Sequence, residues 1–381
     1  MNKLLLGTTA IVGASLVMAG GAYAAKPKVK VNGGIKFEFG GSTQDVDAFG
    51  DAPGFASKGP NRGYAFQTSS EVHINVSGKT DAGMKWKARV EFETDTNVAG
   101  SDGKNQTESA IDETWIRFSG SWGQIRLGNE DGAEDLMHIS GEGAAKKAGA
   151  GGIDGHWDDY VGWREVNSRF AHEPTLTEDS SDATKITYFT PRVGGLQAGV
   201  SFTPDTGAHG QATNTDNSSD FENTWGIGVQ FKKKFGGVKV AAAVVAHIGD
   251  NEDESKEDIA AWMVGAEIGY GSWKLGGGYQ DNGDGGEKKS VVGDDDTRAW
   301  DVGLGYSQGP VILGLSYLHA EVEQGDDGED EGDTVNFGAT YMLGGGAKVY
   351  AEVFWFDTEA GDSHTTDNEG YGFILGAAVK F

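Results

Sequence analysis

From Val29 onward, apolar positions alternate with small or polar ones, the period of a strand whose two faces meet different surroundings. In the first stretch Val29, Val31, Gly33, Ile35, Phe37 and Phe39 share one side, and Lys30, Asn32, Gly34, Lys36 and Glu38 share the other. Val72, Ile74 and Val76 then alternate with His73, Asn75 and Ser77. Trp86, Ala88, Val90 and Phe92 alternate with Lys85, Lys87, Arg89, Glu91 and Glu93. A charged face backing an aromatic and aliphatic one cannot belong to a sheet that is dry on both sides. It fits a wall with lipid on one side and water on the other.

The connections between stretches alternate in length. Short glycine-rich turns are expected at Gly78–Gly83, Ser119–Gly123, Arg192–Gly195, Phe235–Gly237, Gly271–Ser272, Ser307–Pro310 and Gly344–Gly346. Longer polar segments separate them at Gly40–Arg62, Thr96–Glu108, Pro204–Glu222, Gly249–Glu257, Asp281–Asp296, Glu321–Asp333 and Thr358–Glu369. Short periplasmic turns and long external loops characterise outer-membrane barrels. The pattern predicts an all-β fold, a closed transmembrane antiparallel β-barrel of roughly sixteen strands. Aromatic residues cluster near its turns and loops: Trp225, Phe231, Trp262, Tyr270, Trp273, Tyr279, Trp300, Tyr306, Tyr317, Tyr341, Trp355 and Tyr371. Rings that are apolar in body and polar at one edge prefer the headgroup zone, so two girdles are expected.

The N-terminus carries an export signal. Lys3 supplies a positive start, Leu4 to Met18 an apolar run, and Ala22-Tyr23-Ala24 a small-residue cleavage motif. Residues 1–24 are read as a signal peptide cut between Ala24 and Ala25, and 25–381 as the barrel. At the other end Tyr371, Phe373, Leu375, Ala377, Val379 and Phe381 alternate with Gly372, Ile374, Gly376, Ala378 and Lys380. A terminal aromatic on the apolar face of such a strand resembles the assembly signal of outer-membrane proteins.

Composition narrows the reading further. The 381 residues include 62 Gly, 7 Pro and no Cys, and the mean hydropathy is -0.43. Glycine scattered through strands suggests a large curved sheet. With 58 acidic residues against 31 basic ones the net charge is -27, which argues against nucleic acid as a partner. Enzyme signatures such as GxSxG, HExxH or a P-loop are missing, and the 8 histidines are dispersed. No catalytic residue is expected.

Two segments carry a family resemblance. Asp112-Glu113-Thr114-Trp115-Ile116-Arg117-Phe118-Ser119-Gly120 and Trp122-Gly123-Gln124-Ile125-Arg126-Leu127-Gly128-Asn129-Glu130 are similar to the fourth and fifth strands of Gram-negative general porins of the alphaproteobacterial kind. Ile186-Thr187-Tyr188-Phe189-Thr190-Pro191 and Gly195-Leu196-Gln197-Ala198-Gly199-Val200-Ser201-Phe202 resemble strands six and seven. The resemblance implies a sixteen-stranded barrel, a homotrimer in the outer membrane, and passive diffusion of small hydrophilic solutes and ions. It also implies that the third external loop folds into the lumen. The segment 129–184 stands in that place, and its length is that of a functional loop.

A pore selects by bore and by the field across its narrowest ring. Candidate acids on the inserted loop are Glu130, Asp131, Glu134, Asp135, Glu142, Asp154, Asp158 and Asp159. Strand parity turns Arg89, Arg117 and Arg126 inward, because Val90, Ile116, Phe118, Ile125 and Leu127 claim the lipid face. Acids opposite arginines would set up a transverse field; alternatively the arginines only pin the loop to the wall. Aromatic loop residues His156, Trp157, Tyr160, Trp163 and Phe170 are read as packing, with sugar stacking as the alternative.

External acidic runs at Asp250-Asn251-Glu252-Asp253-Glu254, Asp294-Asp295-Asp296 and Asp326-Asp327-Gly328-Glu329-Asp330-Glu331 suggest weak cation preference. Clustered carboxylates are also candidate Ca²⁺ ligands and a possible link to lipopolysaccharide phosphates. Two other functions stay open: a solute-specific channel, for instance for sugars, and a plugged structural or adhesive surface barrel.

Overall fold

The computed structural model describes residues 26–44, 63–93, 110–161, 180–210, 220–289, 296–323, 328–359, 361 and 367–381. The expected leader and its cleavage site at Ala24 and Ala25 lie outside these residues, as do Trp163, Phe170, Asp294, Asp295, Asp326 and Asp327. The strands are β1 (Lys28–Gln44), β2 (Ala65–Lys79), β3 (Lys85–Glu93), β4 (Ala110–Gly120), β5 (Gly123–Asn129), β6 (Thr184–Phe189), β7 (Leu196–Asp205) and β8 (Phe221–Phe235). They continue as β9 (Val238–Asn251), β10 (Ile259–Tyr270), β11 (Trp273–Asp281), β12 (Thr297–Gln308), β13 (Val311–Glu323), β14 (Glu329–Gly344), β15 (Ala347–Glu359) and β16 (Asn368–Lys380).

Each strand pairs antiparallel with its sequence neighbours, and β16 returns to β1, so the sheet is a closed barrel of 16 strands. Closure involves the last residue itself. Gly33 and Phe381 exchange two backbone hydrogen bonds of 3.0 Å each. In hydrocarbon an unpaired N–H or C=O has no water to bond, and closing the ring leaves no edge to satisfy.

The alternation read from the sequence maps onto two faces. Val29, Val31, Ile35 and Phe37 on β1 are exposed on the outside, as are Ile116, Val244, Val264, Val302 and Leu304. The girdles are also present. One row runs through Trp225, Trp262, Tyr279, Trp300, Tyr317, Trp355 and Tyr371; ring centroids lie 5.5 Å apart for Trp262 and Tyr279 and 5.1 Å for Trp300 and Tyr317. The opposite row includes Tyr270, Trp273, Tyr306 and Tyr341, with Trp273 and Tyr306 4.7 Å apart. On β10 the rows are marked by Trp262 and Tyr270. At about 3.4 Å rise per residue and a tilt of about 40° that spacing corresponds to a band of roughly 20 Å.

Val302 lies between the rows and points outward. Val302→Arg is expected to cost about 2–4 kcal/mol of folding stability in phospholipid bilayers. Denaturant titration in vesicles measures it, and a cost near zero would place this face away from lipid.

Candidate functional site: a lumen narrowed by an inward loop

Between β5 and β6 the chain turns into the barrel. It forms two short helices, α1 (Ala133–Met137) and α2 (Gly141–Ala145), then two 3-10 turns at Gly152–Asp154 and Asp158–Tyr160. α1 packs on β7, β8 and β9, α2 on β10 to β13, the next turn on β13 and β14, and the last turn on β1. The loop therefore hugs one side of the wall. Among the described residues, none of the loop's helices or turns packs closely on β2 to β5.

Glycine makes this close seating possible. The wall opposite the loop carries glycines on its inner face, and the loop backbone lies directly on them. A β-carbon on Gly265 would overlap the carbonyl oxygen of Ile139, and one on Gly303 that of Gly141. Buried carboxylates complete the attachment. Glu352 on β15 accepts the backbone N–H groups of Ala150 (2.8 Å) and Gly152 (3.1 Å), with Asn336 donating to its other oxygen at 2.8 Å. Asp301 on β12 accepts from the Glu142 N–H at 2.8 Å and the Gly278 N–H at 2.7 Å. Near the loop's far end His156 Nδ1 lies 2.8 Å from Glu38, which also accepts from the Tyr350 hydroxyl at 2.7 Å. Trp157 packs on Phe354 and Phe356, and Tyr160 is buried beside them.

The loop acids divide between two tasks. Glu134 is buried and accepts from Ser201 and Ser180, each at 2.9 Å, so it holds α1 to the wall. Glu142 is fully buried and accepts from the Ile153 N–H at 3.2 Å, bracing the loop internally. Neither reaches the aqueous lumen. Asp131, Asp135, Asp158 and Asp159 retain solvent exposure, with Asp135 paired to His138 at 3.3 Å and Asp159 accepting from Gln67 at 2.6 Å. Asp154 lies in its 3-10 turn. Glu130 is the first loop residue, buried, and ion-paired with Arg126.

Arg89, Arg117 and Arg126 come together on the wall of β3 to β5. Arg117 pairs directly across the ladder with Arg126 on one side and Lys87 on the other. Arg89 bonds Glu91 at 2.8 Å and Glu113 at 3.0 Å, whereas Arg117 makes no ion pair among the described residues. Trp115, buried and missed as a site residue in the sequence, is a platform for Lys87, Arg89 and Arg126. Lys87, Arg89 and Arg126 lie 4.9, 5.6 and 5.7 Å from its ring centroid, distances at which the π face attracts cations. Toward the short turns the same wall forms a groove of about 780 Å³ lined by Lys28, Lys30, Lys85, Lys87, Arg89 and Arg117. Toward the long loops it carries Glu71, Glu91 and Glu113. The wall is thus layered, acidic outward and basic inward.

The model of the Gram-negative porin family matches residues 7–361. The chain belongs to that family. Solved structures agree on the fold. This porin superimposes on the anion-selective porin from Comamonas acidovorans with a TM-score of 0.62 at 16% identity, covering 93% of this chain and 100% of that one. The outer-membrane protein OmpT of Vibrio cholerae gives 0.55 at 13% identity, covering 94% and 99%. An uncharacterized protein of Rickettsia prowazekii is 21% identical over 357 residues, covering 73% of this chain and 78% of its own length. The family and fold make the protein an outer-membrane diffusion channel.

Two outcomes are expected at this site. Gly303→Val forces α2 off its seat at an overpacking cost of about 1–3 kcal/mol, so single-channel recordings should show a larger or flickering conductance in a barrel that still folds. An unchanged trace would mean that the loop seats without help from this glycine. Burial pushes Glu130 up to about 7 despite Arg126 beside it, and burial with neighbouring Asp112 pushes Asp182 to about 7. Both acids take up protons as the pH falls through that value, leaving the constriction less negative. The chloride-to-potassium permeability ratio should rise between about pH 8 and about pH 6, and Glu130→Gln should shrink that change.

Proposed function

We propose that the protein is a general diffusion porin that passes small hydrophilic solutes and ions. The observation that carries this reading is the one-sided seating of the inward loop. In this reading the channel runs between the loop's exposed acids and the cationic wall of β3 to β5. Asp131, Asp135, Asp158 and Asp159 on one side and Arg89, Arg117 and Lys87 on the other create a transverse field. Such a field aligns water and dipolar solutes and disfavours apolar ones. Arg126, bonded to Glu130, mainly pins the loop.

The chain's negative excess lies largely in its external loops and outer rim, so cations are concentrated at the entrance. Weak cation selectivity follows, fading as salt shortens the reach of those charges to about 10 Å at 0.1 M. Cation-bridged contact of the same loops with lipopolysaccharide phosphates belongs to this reading. So do export through a leader cut after Ala24, assembly guided by Phe381, and a homotrimer.

Planar-bilayer recording is the direct test. Large ohmic steps that no single sugar saturates are expected, with a modest cation-selective reversal potential in dilute salt. Neutralising Arg89, Arg117 and Lys87 together should shift that potential further toward cations. Identical selectivity in the variant removes the field role, saturation by one solute indicates a specific channel, and absence of steps indicates a plugged barrel.

A further inference from the structure

Among the described residues, the metal-ligating side chains that converge are on the pore wall and not in the external acidic runs. In the ladder between β2 and β3, His73 stands directly opposite Glu91. Glu71 precedes His73 by two positions and therefore shares its inward face. The ligand atoms of Glu71, His73 and Glu91 all lie within 4.8 Å of one another. His73 Nε2 is buried; it contacts Glu71 Oε1 and lies 3.1 Å from Glu91 Oε1. Glu91 is 5% exposed. A second group, Glu91, Glu93 and Asp112, converges equally closely and shares Glu91 with the first.

We infer that Glu71, His73 and Glu91 form a binding site for a first-row divalent metal ion, exemplified by Zn²⁺, on the wall of the pore. Two carboxylates and an imidazole form a donor set that zinc accepts in tetrahedral sites, with a water or solute in the fourth position. Calcium prefers an all-oxygen shell of six or more ligands, so the imidazole discriminates against it. Two carboxylates held this close repel one another when both are ionised, and a doubly charged ion offsets that repulsion.

Surrounding groups hold the ligands in place. Arg89 grips Glu91 through Oε2 at 2.8 Å, leaving Oε1 toward His73. Behind the ring, Asn32 lies 3.4 Å from His73 Nδ1 and is itself bonded to Asn75 at 2.9 Å. Turning both amides over reverses that chain. Asn32 then accepts from Nδ1–H and donates to Asn75 Oδ1. The lone pair of Nε2 is thereby directed at the metal, the arrangement that outer-shell partners commonly impose on metal-bound histidine. Glu71 and His73 retain contact with the lumen, so an ion can enter from the channel.

Isothermal titration of the folded, detergent-solubilised protein with ZnCl₂ and with CaCl₂ tests the site without relying on conduction. One Zn²⁺ per chain is expected, weakened about tenfold or more by Glu71→Gln and by His73→Ala, with affinity falling on acidification because a proton competes for the imidazole. Calcium should neither bind there nor compete. In bilayers, zinc should lower the cation preference of the wild type and leave that of His73→Ala unaltered. Equal zinc binding in wild type and both variants overturns the inference, as does no binding at all. Should His73→Ala fail to fold, the same comparison rests on Glu71→Gln, whose side chain is the most exposed of the three. Failure of the pore reading is separate: it shows as missing channel steps in metal-free bilayers.

Discussion

Hydrocarbon offers no partner to a peptide group, and the rest of this structure follows from that deficiency. Every strand must find two neighbours, so the sheet must close, and the closing bonds run through Gly33 and the terminal Phe381. A closed sheet with lipid outside obliges each strand to alternate, apolar outward and free inward. That freedom lets Lys87, Arg89 and Glu91 stand in sequence beside Ala88 and Val90 without conflict.

The interior is organised by a second need. A loop placed inside a barrel brings its own peptide groups into a crowded space, and they too require partners. The wall supplies carboxylates for this purpose. Glu352, Asp301 and Glu38 receive loop donors, and from the loop Glu134 and Glu142 reach serine hydroxyls and a backbone N–H. Glycine at the contact points lets the two backbones approach. Among the described residues, the loop lines the wall from β7 to β15 and reaches β1.

The fold was largely legible because its signals are local. Period-two alternation survives in a single strand, and turns such as Arg192–Gly195 and Gly344–Gly346 announce themselves by glycine. The resemblance to porins, with the length of the 129–184 segment, pointed to the inward loop, and parity alone turned Arg89, Arg117 and Arg126 to the same side. The site was less legible where direction depends on tertiary path. A loop acid looks alike in sequence whether it meets water, as Asp158 does, or a buried serine, as Glu134 does. The inward acid Glu352 is indistinguishable by period from a pore-lining one, although it is sealed beneath the loop. Trp115 read as one more strand aromatic; only the ladder positions of Lys87, Arg89 and Arg126 make it a cation platform.

The loop is fastened chiefly through its main chain, by Ala150, Gly152 and Glu142 N–H groups held on wall carboxylates. Fastening of that kind is indifferent to most of the side chains it carries. Which side chains the loop turns toward the channel is therefore set by where its backbone is tied down, and exchanging one for another need not redirect its path. Permeability in such a molecule can evolve quickly on a scaffold that scarcely moves.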